Sequence, residues 1–188
     1  MTTDGPLSTS FYFVRHGEST ANAAGVIAGW GEFELTARGQ EEARRVAGLL
    51  RGLLIRSVVS STMRRAYDTA VPAAAVLGLP IAVVDGLRER NWGVMEGRPM
   101  AERPEELAPP PEGAESYGEF RDRVMAALRS LAVPAPVLIV GHAGIMRVLR
   151  RELCRDPGWR ERYANGVPVR FDPPAGSAGE AWSWRPVV

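Results

Sequence analysis

Two histidines occur in the 188 residues, and each follows a short apolar run: His16 comes after Phe11-Tyr12-Phe13-Val14-Arg15, and His142 after Val137-Leu138-Ile139-Val140-Gly141. Runs of this kind read as buried strands. In an open α/β sheet the strand ends face the crevice where ligands bind, so residues distant in sequence converge there. An isolated histidine is most often a packing or surface residue; two at strand ends, one beside an arginine, point to phosphoryl transfer. Gly17 and Gly144 lie within two positions of them, where a glycine lets the backbone turn sharply and approach a ligand. A phosphate monoester needs a nucleophile facing phosphorus, cationic donors around its oxygens and an acid for the departing alkoxide. Arg15, and the pair Arg64-Arg65 just after Ser60-Ser61, place guanidinium forks at two neighbouring crevice positions. Their positive charge favours a neutral His16 with a ring lone pair free to attack.

The elements that would position these residues follow from periodicity. Residues 11–14, 57–60, 81–84 and 137–141 read as strands. Helices are expected over 36–50, 63–77, 117–131 and 144–153, with Pro72 kinking the second or starting a new one. Strand and helix alternate, the rhythm of a parallel sheet covered by helices. Further strands are expected at 167–171 and 182–184. The segment 91–116, with Pro104, Pro109, Pro110, Pro111 and Gly113, has no periodicity and is long for a connection, the mark of an active-site loop or lid. One domain spanning 1–188 is expected, with residues 1–9 flexible.

Composition narrows the partners. The net charge of +1 gives no broad basic surface, so nucleic acid is not expected. All 23 basic residues are arginine, which excludes a Walker phosphate loop and lysine Schiff-base chemistry. No leader and no membrane-spanning run is visible, so a cytoplasmic protein without a membrane partner is expected. The single Cys154 is expected to pack rather than react, and Arg147, Arg150, Arg151 and Arg155 to form a solvated helix face. An edge strand near the C-terminus would offer a ladder to a second copy, making a homodimer one expectation.

Five blocks now carry a resemblance. Arg15-His16-Gly17-Glu18-Ser19, the stretch from Gly29-Trp30 to Leu35-Thr36-Ala37-Arg38-Gly39, Met63-Arg64-Arg65-Ala66-Tyr67-Asp68-Thr69-Ala70, Leu87-Arg88-Glu89 through Met95-Glu96-Gly97, and Gly141-His142-Ala143-Gly144 stand in the order found in the histidine phosphatase superfamily, the phosphoglycerate mutase-like branch. Gly113-Ala114-Glu115-Ser116 resembles a further block that precedes a helix. The resemblance implies a three-layer α/β sandwich with a mostly parallel central sheet and helices on both faces. It makes His16 the nucleophile that becomes phosphohistidine, Glu89 the proton donor, and Arg15, Asn22, Arg65 and His142 the phosphate contacts. Glu89 would need a raised pKa for that task, which a partly dry site under the 91–116 loop would supply. No metal and no cofactor are implied.

Glu32 and Glu34 replace a usual aspartate and proline, Thr62 a common aspartate and Met95 a common tryptophan; none removes a chemical role, but substrate preference does not carry over. The block Glu89-Arg90-Asn91-Trp92-Gly93 resembles the mutases, where the arginine meets a substrate carboxylate, so Arg90, Trp92 and Ala143 are candidate substrate contacts. The loop is short for excluding water from a phosphohistidine, which favours a phosphatase of small phosphorylated metabolites over a phosphoglycerate mutase. A phosphoprotein-directed or noncatalytic binding member is the third reading, and the intact His16, Arg65, Glu89 and His142 argue against a dead site.

Overall fold

The computed structural model describes residues 6–156, 163–175 and 180–187. The first apolar run becomes β1 (Phe11–Arg15), followed by β2 (Ser57–Ser61), β3 (Ile81–Val84), β4 (Val137–Gly141), β5 (Pro168–Asp172) and β6 (Ser183–Pro186). They form one sheet in the order β3-β2-β4-β1-β5-β6. The first four strands are parallel, and β5 and β6 extend the β1 side antiparallel. This is the mixed α/β sandwich expected from the sequence. Among the described residues no helix is long and apolar enough to cross a membrane.

The continuous apolar character of β1 and β4 has a simple cause: both faces of these central strands are covered, so neither face is polar. Alternate residues go to opposite sides. Phe11, Phe13, Val137 and Ile139 pack with Phe120, Val124 and Leu128 of α4 (Tyr117–Ser130) and Ile145 and Leu149 of α5 (Ala143–Cys154). Tyr12, Val14, Leu138 and Val140 pack with Val46 and Leu50 of α2 (Ala37–Leu50) and the small ridge Ala66, Ala70 and Ala73 of α3 (Arg64–Leu77). Helix starts are set by caps: Thr36 accepts from the Gly39 amide, and Ser116 and Glu119 form a capping box.

The structure narrows one expectation and corrects another. Pro72 does not split its helix; α3 runs through it, because the buried alanine ridge on the sheet outweighs one missing N–H bond. Arg150 is not on a solvated face: it is 4% exposed, bonds Asp156 and the Tyr163 hydroxyl, and lies 4.8 Å over the Trp184 ring. Residues 1–5 lie outside the described residues, whereas 6–9 form a turn whose Leu7 packs against the core. A short helix α1 (Thr20–Ala24), too brief to show a period, follows the first histidine. Cys154 packs half-buried at the core margin, as expected.

Candidate active site

Register brings the histidines together. Arg15 pairs with Gly141 and Ser60 with Val140, so β1, β4 and β2 end at one edge of the sheet. The His16 amide donates to the Gly141 carbonyl at 2.9 Å, and the two imidazole rings meet edge to face with centroids 5.2 Å apart. Both rings are buried. Gly17 is required here because a Cβ would stand 2.3 Å from the Gly39 carbonyl oxygen, so the loop after β1 lies directly on the start of α2.

The tautomer of His16 is set by its neighbour. Nδ1 lies 2.7 Å from the Gly17 carbonyl oxygen, which can only accept, so Nδ1 carries the proton and Nε2 keeps a bare lone pair. Burial, then the guanidinium groups of Arg65 and Arg15, hold His16 well below its ordinary pKa of 6.5. His142 is likewise held down by burial and then by Arg65, His16 and Arg15. Both shifts favour the neutral form of the rings.

The two arginines are fixed from behind. Arg65, in the first turn of α3, donates to the carbonyls of Gly31 at 2.9 Å and Gly29 at 2.8 Å, while its Nε is buried without a partner. Arg64 instead points outward to Glu34 at 2.6 Å, which separates the pocket arginine from its neighbour. Arg15 donates to the Tyr163 carbonyl, and its Nε too is buried and unpartnered. Burial pushes the Arg15 pKa down to about 10, partly offset by Glu89. Among the described residues neither guanidinium has a carboxylate within ion-pair distance, which leaves its charge for an anion.

Asn22 reaches the site from α1. Its Oδ1 accepts from the Ser19 amide and from Asn165 Nδ2, both at 3.1 Å, which turns the Asn22 amide nitrogen the other way as a donor. Glu89 is clamped by backbone: Oε1 accepts from the Arg90 amide at 2.8 Å and Oε2 from the Gly144 amide at 3.0 Å. Each oxygen keeps a second lone pair for a proton. A Cβ at Gly144 would lie 2.0 Å from Glu89 Oε1, so this approach demands glycine. The Glu89 carbonyl is held in turn by Trp30 Nε1 at 2.7 Å and Arg123 at 3.2 Å, with Arg88 lying 4.0 Å over the Trp30 ring. Ala143 is half-buried at the start of α5, next to His142.

A family model of the histidine phosphatase superfamily (branch 1) matches residues 11–166. The chain belongs to this superfamily. Within the superfamily, "Probable phosphoglycerate mutase GpmB" of Escherichia coli K12 is 35% identical over 167 residues, covering 80% of this chain and 77% of that protein. A solved structure described as a "putative alpha-ribazole-5'-P phosphatase" from Escherichia coli K-12 superposes with a TM-score of 0.79 at 27% identity, over 95% of each chain. A mycobacterial glucosyl-3-phosphoglycerate phosphatase, in complex with VO3, superposes with a TM-score of 0.76 at 26% identity, over 96% of this chain and 98% of that one.

Two candidate contacts stand apart from the histidines. Arg90 is 1% exposed, donates to the carbonyls of Glu115 at 2.9 Å and Glu106 at 2.8 Å, and lies 4.3 Å over the Trp92 ring. Trp92 is buried, with Arg103 5.5 Å from its ring. Both make contacts within the 91–116 segment. Sequence reasoning also passed over Asn165, Trp30 and Arg123. Asn165 donates 2.8 Å to the His16 carbonyl, and the Gly166 amide donates to Arg15, so this late loop braces the first strand end. None of the three belongs to a residue type that marks chemistry by itself.

Proposed function

We propose that the chain is a metal-independent phosphatase of small phosphomonoesters that works through a phosphohistidine on His16. His16 Nε2 attacks phosphorus and the ester P–O bond breaks, with Glu89 giving its proton to the leaving oxygen. Arg15, Arg65, Asn22 and His142 hold the equatorial oxygens as charge develops on them. Water then attacks phosphorus and the P–N bond breaks. Glu89 takes up the proton of the water, and inorganic phosphate leaves.

The observation that carries hydrolysis over isomerisation is the placement of Arg90. Its guanidinium donates to two loop carbonyls and lies 3.9 Å from the buried Glu106, which supports reading it as a loop anchor and not as the carboxylate contact suggested by the mutase-like block. The solved relatives described as phosphatases support the same reading, whereas the name of the Escherichia coli relative favours a mutase. The deciding experiment measures phosphate release from a panel of small phosphomonoesters in EDTA, with 3-phosphoglycerate isomerisation assayed in parallel. Release lost in His16→Ala, without isomerisation, is the expected result. Isomerisation without release would replace phosphatase by mutase, and binding of phosphopeptides without either would replace it by a recognition module.

A further inference from the structure

Ser61 closes β2 and is fully buried. Its hydroxyl has two contacts: it accepts from the Met63 amide at 3.2 Å and lies 2.9 Å from His142 Nε2. A serine hydroxyl has one proton to give and two lone pairs to receive. The Met63 amide occupies one lone pair. Among the described residues the acceptor in reach of the hydroxyl proton is His142 Nε2, and a hydroxyl proton left unbonded in a dry interior is costly. Hydrogen-bond accounting therefore makes Ser61 the donor and leaves Nε2 unprotonated. The neutral His142 ring then carries its proton on Nδ1, an atom that is itself buried and without a partner among the described residues.

We propose that Ser61 is a positioning residue: its hydroxyl holds His142 in the Nδ1–H form, so that this ring presents a donor, and not a lone pair, to an equatorial oxygen of the transferring phosphoryl group. The inference rests on the phosphoryl-transfer reading above. It gives the two rings one tautomer for opposite ends. In His16 the proton on Nδ1 frees Nε2 to attack; in His142 the proton on Nδ1 is the working group. A free imidazole prefers its proton on Nε2, so each ring needs a neighbour that overrides the preference: the Gly17 carbonyl for one, the Ser61 hydroxyl for the other.

The chain is well suited to a direct test, because it contains two histidines and no others. Protein labelled with ¹⁵N-histidine is examined by long-range ¹H–¹⁵N correlation at neutral pH. Both rings of the wild type are expected to show protonated Nδ1 and unprotonated Nε2. In Ser61→Ala the His142 pattern moves toward protonated Nε2 while His16 is unchanged, and kcat falls about 10- to 100-fold, less than the loss on deleting a whole oxyanion donor. Ser61→Thr, which keeps the hydroxyl, restores the pattern and most of the rate. His142 protonated on Nε2 in the wild type, or unmoved in Ser61→Ala, overturns the proposal; the wild-type spectrum decides even if the alanine variant fails to fold. Expected tautomers with no phosphate release from any ester would instead remove the phosphatase reading and leave the Ser61 assignment standing.

Discussion

The strand-end pocket and the 91–116 segment are built by opposite means. In the pocket, His16, Arg65, Asn22 and Glu89 are each fixed by backbone groups of the sheet and its helices, and their reactive atoms are left over. In the segment, most of these polar groups pair with one another: Arg90 donates to the Glu115 and Glu106 carbonyls, Asn91 Oδ1 accepts from the Gly93 amide, and the Asn91 amide donates to Glu115, with Glu106 Oε2 left buried without a hydrogen bond. A site keeps polar atoms unpaired where a ligand will pair them, whereas a supporting structure pairs everything internally. This difference supports the proposal that the pocket does the chemistry and the segment supplies shape.

The comparison breaks most sharply at the nucleophile. His16→Ala is expected to lower phosphate release by at least about 10⁴-fold and to abolish acid-labile phosphoenzyme; residual turnover near wild type would remove His16 from the chemistry. Arg65→Lys is next. A lysine cannot hold the Gly29 and Gly31 carbonyls and still present a planar fork, so kcat/KM should fall about 10²- to 10³-fold in steady-state assays, with thermal unfolding little changed.

Changes in the segment should show the reverse, costing stability before turnover. Arg90→Met leaves Glu106, 2% exposed, with Arg103 but without Arg90, strips the Glu115 and Glu106 carbonyls of their donor, and is expected to lower the unfolding free energy by about 3 kcal/mol in urea titrations. Turnover of the smallest ester should stay within a few fold; a large fall in kcat would put Arg90 back among the substrate contacts.

The buried histidines also link folding to pH. Their folded pKa values are depressed, so below 6.5 the unfolded chain binds protons that the folded chain does not, and stability falls toward acid. Each ring contributes a slope of about 1.4 kcal/mol per pH unit between its folded value and 6.5. Urea titrations from pH 7 downward should show it, and His142→Asn should remove its share. The smallest effect is expected at Ser116→Ala, which removes one half of the capping box of α4 for about 1 kcal/mol.

The parallel strands, the long helices and five catalytic candidates were legible because each leaves a one-dimensional trace: an apolar run, a helical period, or a polar block beside a strand end. The loop bonds of Arg90 were not legible, because its block fits a pocket residue and a loop anchor equally and the bonds depend on the path of residues 106–115. Arg150 was read as solvated because its partners, Asp156 and Tyr163, lie beyond the end of its helix. Ser61 and Asn165 left no trace because they act through hydrogen bonds to groups set elsewhere in the chain.

The strand that bears His16 takes its neighbours from residues 137–141 on one side and 168–172 on the other. A nascent chain leaving the ribosome therefore holds its nucleophile from the outset but has nowhere to seat it until residue 172 has emerged. Closure over so many intervening residues makes folding slow compared with a fold of local contacts. The same late closure makes assembly of the strand-end pocket a clock for the completed fold.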